Sequence, residues 1–342
     1  MHGGDIYEFA EKNRVQLRNV LDFSASINDF ISVKNMIIKK ELIENYPEIN
    51  LDKYKKILAG DEFAPENIAL VPGLTSFIHK FMLSVNGNVV IVSPTFTEYL
   101  KPEIRGKKII VPFDILNKNP DILKNYNFNA LFLVYPDSPT GQIIDKNSFY
   151  SIIEIAMKKN STLFLDESFI WFVNNREINE MELIEKYSNI IIGRSMTKVI
   201  SMPGLRLGYI ASNCLTIQKI EKSLEPWGIN EIALAYLGSY TGNLTYLGKK
   251  TEIERNYVIK SLKNTGYQVI GMPRANYITF QLPENIDGKY LKKYLAENNI
   301  MIRLLDDYNE FGSNYMRIAI KRRAKNRILI NALSAYTGEI HG

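Results

Sequence analysis

Between residues 60 and 215 short apolar runs recur, many of them closed by proline, glycine or polar residues. They are Ile68–Val71, Val89–Val92, Lys108–Val111, Ala130–Val134, Thr162–Leu165, Ile190–Ile192 and Leu207–Ile210. Helical patterns, among them Ser76–Val85 and Asn147–Lys159, separate several of these runs. Continuous apolar runs alternating with helices predict a mostly parallel sheet, buried on both faces, in an α/β fold. In such sheets ligands bind beyond the carboxyl ends of the strands. After about residue 215 the pattern turns helical over Glu221–Trp227 and Leu234–Ser239, and Tyr277–Phe280, Met301–Arg303 and Tyr315–Ile320 are predicted as strands of a smaller unit. At the other end, His2-Gly3-Gly4 precedes a helical Ile6–Asn13 and an extended Leu21–Asn28. A chain of 342 residues suits two domains, at about 150 residues each. The expected division is an N-terminal arm (1–40) packing on the small domain, a large domain (41–215) and a small C-terminal domain (216–342).

Composition narrows the function classes. Hydrophobic residues at 46% and charged residues at 23% are ordinary globular values. The net charge of +5 is modest, and apart from Lys321–Arg327 the basic residues are scattered, which argues against a nucleic-acid groove. One cysteine, Cys214, cannot form an internal disulfide and fits a reducing cytoplasm. With three histidines and that cysteine at no ligand spacing, no metal site is expected. No apolar run reaches the roughly 18 residues that span a bilayer, so no membrane partner is expected.

Candidate chemistry gathers where apolar runs end. Asn189–Gly193 leads into Ser195-Met-Thr197-Lys198, and Arg206 follows eight residues after that lysine, between Pro203-Gly204 and Gly208. A lysine in a partly buried pocket loses proton affinity and becomes an amine nucleophile suited to Schiff-base chemistry. Ser195, Thr197 and Arg206 can bind a phosphate around it. Pro72-Gly73-Leu74-Thr75-Ser76 opens a helix, and free N–H groups at a helix start also suit phosphate. Asp166 ends the Thr162–Leu165 run, 32 residues before Lys198. A buried carboxylate there needs a partner.

In order along the chain, these segments resemble the fold-type I pyridoxal-phosphate (PLP) enzymes of the aspartate aminotransferase fold. Within them, His2-Gly3-Gly4 and Asp22-Phe-Ser-Ala-Ser-Ile-Asn28 resemble the cobalamin-pathway threonine-phosphate decarboxylases, with Ser26 where asparagine is often found. The resemblance implies a large domain with a mostly parallel seven-stranded sheet, a smaller α/β C-terminal domain and PLP as cofactor. It implies that Lys198 bonds the cofactor aldehyde, that Asp166 pairs with the ring nitrogen, and that Phe96 stacks on the ring. Leu74, Thr75, Ser195, Thr197 and Arg206 would hold its phosphate. Tyr46, in Tyr46-Pro47, would reach the cofactor phosphate of a neighbouring subunit in a homodimer. Arg317 would fork onto the substrate carboxylate, and Arg303, with His2, Gly3 and Asn28, would face the phosphate end of the substrate.

Two departures bear on the cofactor's phenolic oxygen. Ser138 stands where the family's asparagine bonds it, in Asp137-Ser-Pro-Thr-Gly141, and Phe169 stands where the aminotransferases place a tyrosine. Leu304–Tyr308 also departs from the decarboxylase segment Asp-Cys-Ser-Asn-Tyr. The activity implied is decarboxylation of L-threonine O-3-phosphate to (R)-1-amino-2-propanol O-2-phosphate. L-Serine O-phosphate differs by one methyl, worth about 1–3 kcal/mol in a pocket, so it stays open. A histidinol-phosphate aminotransferase is the second alternative, against which Phe169 and the His-Gly-Gly arm argue. A non-catalytic scaffold is the third, and loss of turnover on replacing Lys198 separates it.

Overall fold

The computed structural model describes residues 3–31, 38–239 and 244–341. Its strands, in chain order, are β1 (Leu21–Asp22), β2 (Ile68–Val71), β3 (Val89–Ser93), β4 (Lys108–Pro112), β5 (Ala130–Val134), β6 (Thr162–Asp166), β7 (Ile190–Ser195), β8 (Gly208–Ala211), β9 (Gln268–Val269), β10 (Tyr277–Gln281), β11 (Ile300–Met301), β12 (Arg303–Leu304) and β13 (Tyr315–Ala319). The seven apolar runs form one sheet in the order β2-β8-β7-β6-β5-β3-β4. Strands β3 to β7 pair in parallel, and β8 runs antiparallel to both of its neighbours. This is the fold-type I architecture expected from the sequence.

Burial explains the apolar runs. Every residue of β3, β5 and β7 is buried, as strands covered by helices on both faces require. Strand β4 lies at the edge and leaves Ile110 exposed. The Lys146–Lys158 helix is capped by Asp145, which accepts from the N–H groups of Asn147 and Ser148. It buries Phe149, Ile152, Ile153 and Ala156, one face at helical spacing. Two expected elements differ. The helix placed at Glu221–Trp227 runs instead over Cys214–Ser223, capped by Asn213, and Pro226 disfavours helical geometry at the residue before it. The strand expected over Met301–Arg303 divides at Ile302 because its halves serve two sheets: β11 pairs with β1, and β12 with β13.

The second sheet, β12-β13-β10-β9, is antiparallel. Hydrogen bonds tie it to the first sheet: Tyr277 Oη donates to the Asp137 carbonyl (2.5 Å) and Thr279 Oγ1 to the Pro139 carbonyl (2.7 Å). The N-terminal segment continues from β1, where the Phe23 carbonyl accepts from Ala319 N, to Asn28, whose N–H donates to the Lys198 carbonyl (2.9 Å). Among the described residues no helix is long and apolar enough to cross a membrane.

Successive side chains of β7 point to opposite faces, so Ser195 and Arg194 diverge. Arg194, 1% exposed, lies 5.0 Å from the ring centres of both Phe63 and Trp171. Its guanidinium donates to Glu167 (2.8 Å), Glu62 and Tyr209 Oη (3.0 Å). Burial opposes ionisation of Glu62, but the Arg194 and Arg176 charges win and hold it down to about 2. Fully buried Glu167 is pushed up by burial against the pull of Arg194. Replacing Arg194 with Met strands Glu167 without its cation, a loss of about 3–5 kcal/mol by the cost of breaking buried pairs. The urea midpoint of Arg194→Met should fall accordingly; an unchanged midpoint would contradict this account of the network.

Candidate active site

The chemistry-bearing residues converge at the carboxyl ends of β2, β6 and β7. Strand β2 turns at Gly73 into the Leu74–Ser84 helix, whose N-cap has no side-chain hydrogen bond. Gly73 has φ +78°, and a Cβ there would lie 2.7 Å from Arg206 Nη2, so the guanidinium sits against the helix start. A Cβ at Gly208 would approach Leu74 N to 3.2 Å. Beside them Ser195 Oγ and Thr197 Oγ1 share a hydrogen bond of 2.8 Å. Uncapped N–H groups, two hydroxyls and a guanidinium make a phosphate cradle. Leu74 and Thr75 form its first turn.

Lys198 lies in the short Met196–Val199 helix. Burial, reinforced by the charges of Arg317 and Arg206, pushes its amine down to about 8, against the pull of Asp22 and Asp166. Asp166, at the end of β6, is buried. Its Oδ1 accepts from Ser168 N (2.9 Å) and Ser168 Oγ (2.6 Å), and its Oδ2 from Tyr99 Oη (2.7 Å). Burial pushes this carboxyl up, and the Ser168 and Tyr99 donors oppose that shift. Phe96 stands partly exposed, its ring perpendicular to that of Tyr99 at 6.4 Å. Tyr99 is absent from the residues singled out by sequence. The one signal for it is general, that a buried tyrosine hydroxyl seeks a partner.

On the second sheet, Arg317 donates to the Ser24 carbonyl (3.1 Å) and, at 3.5 Å, to Ser138 Oγ, while its buried Nε has no partner among the described residues. Its guanidinium lies 5.3 Å from the Tyr277 ring centre. Gly3 packs on Ser24, where a Cβ would meet the carbonyl at 2.4 Å, and Gly4 N donates to Ser24 Oγ (2.8 Å). The arm is thus fastened beside Arg317. His2 lies outside the described residues. Arg303 is engaged within the chain: Nη2 donates to both oxygens of Asp307 (2.7 and 2.6 Å) and Nη1 to the Leu304 carbonyl (3.0 Å). Asn28 is likewise engaged, with Nδ2 donating to the Val199 carbonyl (2.7 Å) and Oδ1 accepting from Phe30 N (2.8 Å), so it ties the arm to the lysine helix. Tyr46 is 79% exposed, with its ring 4.8 Å from that of Trp227.

Residues 19–333 match the family described as aminotransferase class I and II. The chain belongs to this family. It is 30% identical to the threonine-phosphate decarboxylase of Salmonella typhimurium, over 97% of this chain and 95% of that protein. It is 27% identical to the adenosylcobalamin biosynthesis bifunctional protein CobDQ of Leptospira interrogans, over 97% of this chain and 40% of that longer protein. Among solved structures, the histidinol-phosphate aminotransferase from Clostridium acetobutylicum superposes with a TM-score of 0.80 at 26% identity, covering 94% of this chain and all of that one.

The cofactor of this family is PLP, and the donor set fits it. An uncapped helix start and Arg206 suit its phosphate, Lys198 its aldehyde and Asp166 its ring nitrogen. Because Lys198 is nucleophilic only when unprotonated, the rate at which apoprotein captures PLP should rise with pH through about 8 and level off above it. Stopped-flow absorbance would follow this, and a rate still climbing toward the ordinary lysine range would contradict the depressed amine.

Proposed function

We propose that the chain decarboxylates L-threonine O-3-phosphate, yielding CO2 and (R)-1-amino-2-propanol O-2-phosphate for cobalamin biosynthesis. The observation that carries this reading is the end-to-end likeness to the Salmonella threonine-phosphate decarboxylase, over 97% of this chain. The fastening of Gly3 and Gly4 on Ser24, itself bonded to Arg317, supports it. So does Phe169, which packs edge-on to Tyr277 at 4.9 Å and offers no hydroxyl where the aminotransferases place one.

PLP, when bound, supplies an electron sink for the charge left on Cα as CO2 departs. The chain supplies the rest. Asp166 would accept from the ring nitrogen and favour its protonated form. Arg317, with a spare Nε, fixes the substrate carboxylate, and Arg303 serves the phosphate once its contact with Asp307 is shared or exchanged. Holding both ends of the substrate would fix its orientation and so decide which bond at Cα breaks. The protonated Lys198 amine, or a bound water, would then give Cα the proton that replaces CO2.

The Clostridium likeness favours a second reading, a histidinol-phosphate aminotransferase. Mass spectrometry of products separates the two. PLP-loaded protein is incubated with threonine phosphate, with serine phosphate, and with histidinol phosphate plus 2-oxoglutarate. CO2 and aminopropanol phosphate are the expected result, with a slower reaction on serine phosphate. Glutamate without CO2 would establish the aminotransferase.

A cytoplasmic homodimer belongs to the same proposal. Exposed Tyr46 would complete the partner's phosphate cradle. Tyr46→Phe should weaken PLP retention roughly tenfold, the worth of one hydrogen bond to a charged group; an unchanged PLP dissociation constant would count against the shared site.

A further inference from the structure

The structure assigns Tyr99 a role that the proposed function leaves out: we propose that it is the positioning residue that keeps Asp166 ionised at the oxygen facing the cofactor ring nitrogen. This rests on the reading of Asp166 as partner of that nitrogen. A carboxylate offers about four acceptor sites, two on each oxygen. Oδ1 has both filled by Ser168, through N–H and Oγ, whereas among the described residues Oδ2 accepts only from Tyr99. The open site on Asp166 is therefore on Oδ2, the oxygen that Tyr99 already holds at 2.7 Å.

The setting makes this contact decisive. Asp166 is buried, and burial drives its carboxyl toward the neutral acid. A neutral Asp166 would compete for the proton that the ring nitrogen must keep. Ser168 and Tyr99 are the donors that oppose this drift, and Lys198 is the nearby cation. Tyr277 is the other phenol that senses the Asp166 charge, and its hydroxyl is committed to the Asp137 carbonyl. Tyr99 is itself fully buried, and burial with the adjacent carboxylate raises its phenol well above the ordinary range, so it stays protonated and can only donate. Its ring is held by Phe132 at 5.5 Å and Phe96 at 6.4 Å. Phenylalanine fits the same space, and Tyr99→Phe removes the donor alone.

A hydrogen bond to a charged group shifts a carboxylate's proton affinity by about tenfold or more. With the donor gone, Asp166 becomes the stronger base and the shared proton moves toward Oδ2. The test is the 15N resonance of PLP labelled at the ring nitrogen and bound to the whole protein. Tyr99→Phe should move the resonance toward the unprotonated pyridine value, Ser168→Ala should move it less because the Ser168 N–H remains, and Asp166→Asn should move it furthest. A merely structural tyrosine would leave the resonance in place while loosening PLP binding. If Asp166→Asn shifts the resonance and Tyr99→Phe does not, the assignment to Tyr99 is overturned and the role of Asp166 stands. If Asp166→Asn leaves it unmoved, the reading of Asp166 fails, and the inference with it. Should Tyr99→Phe not fold, Tyr99→Leu, which also removes the hydroxyl, carries the same comparison, and no movement there overturns the proposal.

Discussion

A carboxylate at the end of a buried strand has to be paired, and much of this site follows from that one requirement. Asp166 ends β6 in the middle of a sheet whose strands are buried on both faces. Water cannot solvate it there, so hydrogen-bond donors must. Ser168 answers from the turn that continues β6 itself, Tyr99 from the segment after β3, two strands away in the sheet, and Lys198 electrostatically from the segment after β7. The same burial strips protons from Lys198. One environment thus raises the proton affinity of Asp166 against the pull of its donors and lowers that of Lys198 to about 8.

The second sheet turns that chemistry toward an anionic substrate. Thr279 and Tyr277 of β10 grip the carbonyls of the loop that carries Ser138, and β10 pairs with β13, which carries Arg317. Asn28 closes the ring by joining the N-terminal segment to the lysine helix. Arg317 consequently reaches the site held on three sides, by Ser24, Ser138 and the Tyr277 ring, with its Nε–H unpartnered among the described residues. A carboxylate meeting it pays little of the ordering entropy that a free side chain would demand.

Much of this was legible in the residue order. Apolar runs such as Ile68–Val71 and Ala130–Val134 declare buried strands, and β2 and β5 reproduce their limits. Gly73 ahead of Leu74 announces a helix start with free N–H groups, and the structure sets Arg206 against it. What sequence did not show was pairing at a distance. Even the local pair of Arg303 with Asp307, four residues on, lies in a loop whose course no periodicity describes. Tyr99 meets Asp166 across 67 residues of chain, and nothing local marks it beyond burial. The division of Met301–Arg303 between two sheets is a tertiary decision of the same kind, because three apolar or extended residues fit either sheet equally well.

Everything here turns on which lysine takes the cofactor. Borohydride reduction of the PLP-loaded protein fixes the cofactor to that residue, and peptide mass spectrometry then locates it. The account predicts a single modified peptide, carrying the pyridoxyl group on Lys198, the amine that burial and the Arg317 and Arg206 charges bring down to about 8. Modification at another lysine, with Lys198 unlabelled, would contradict it.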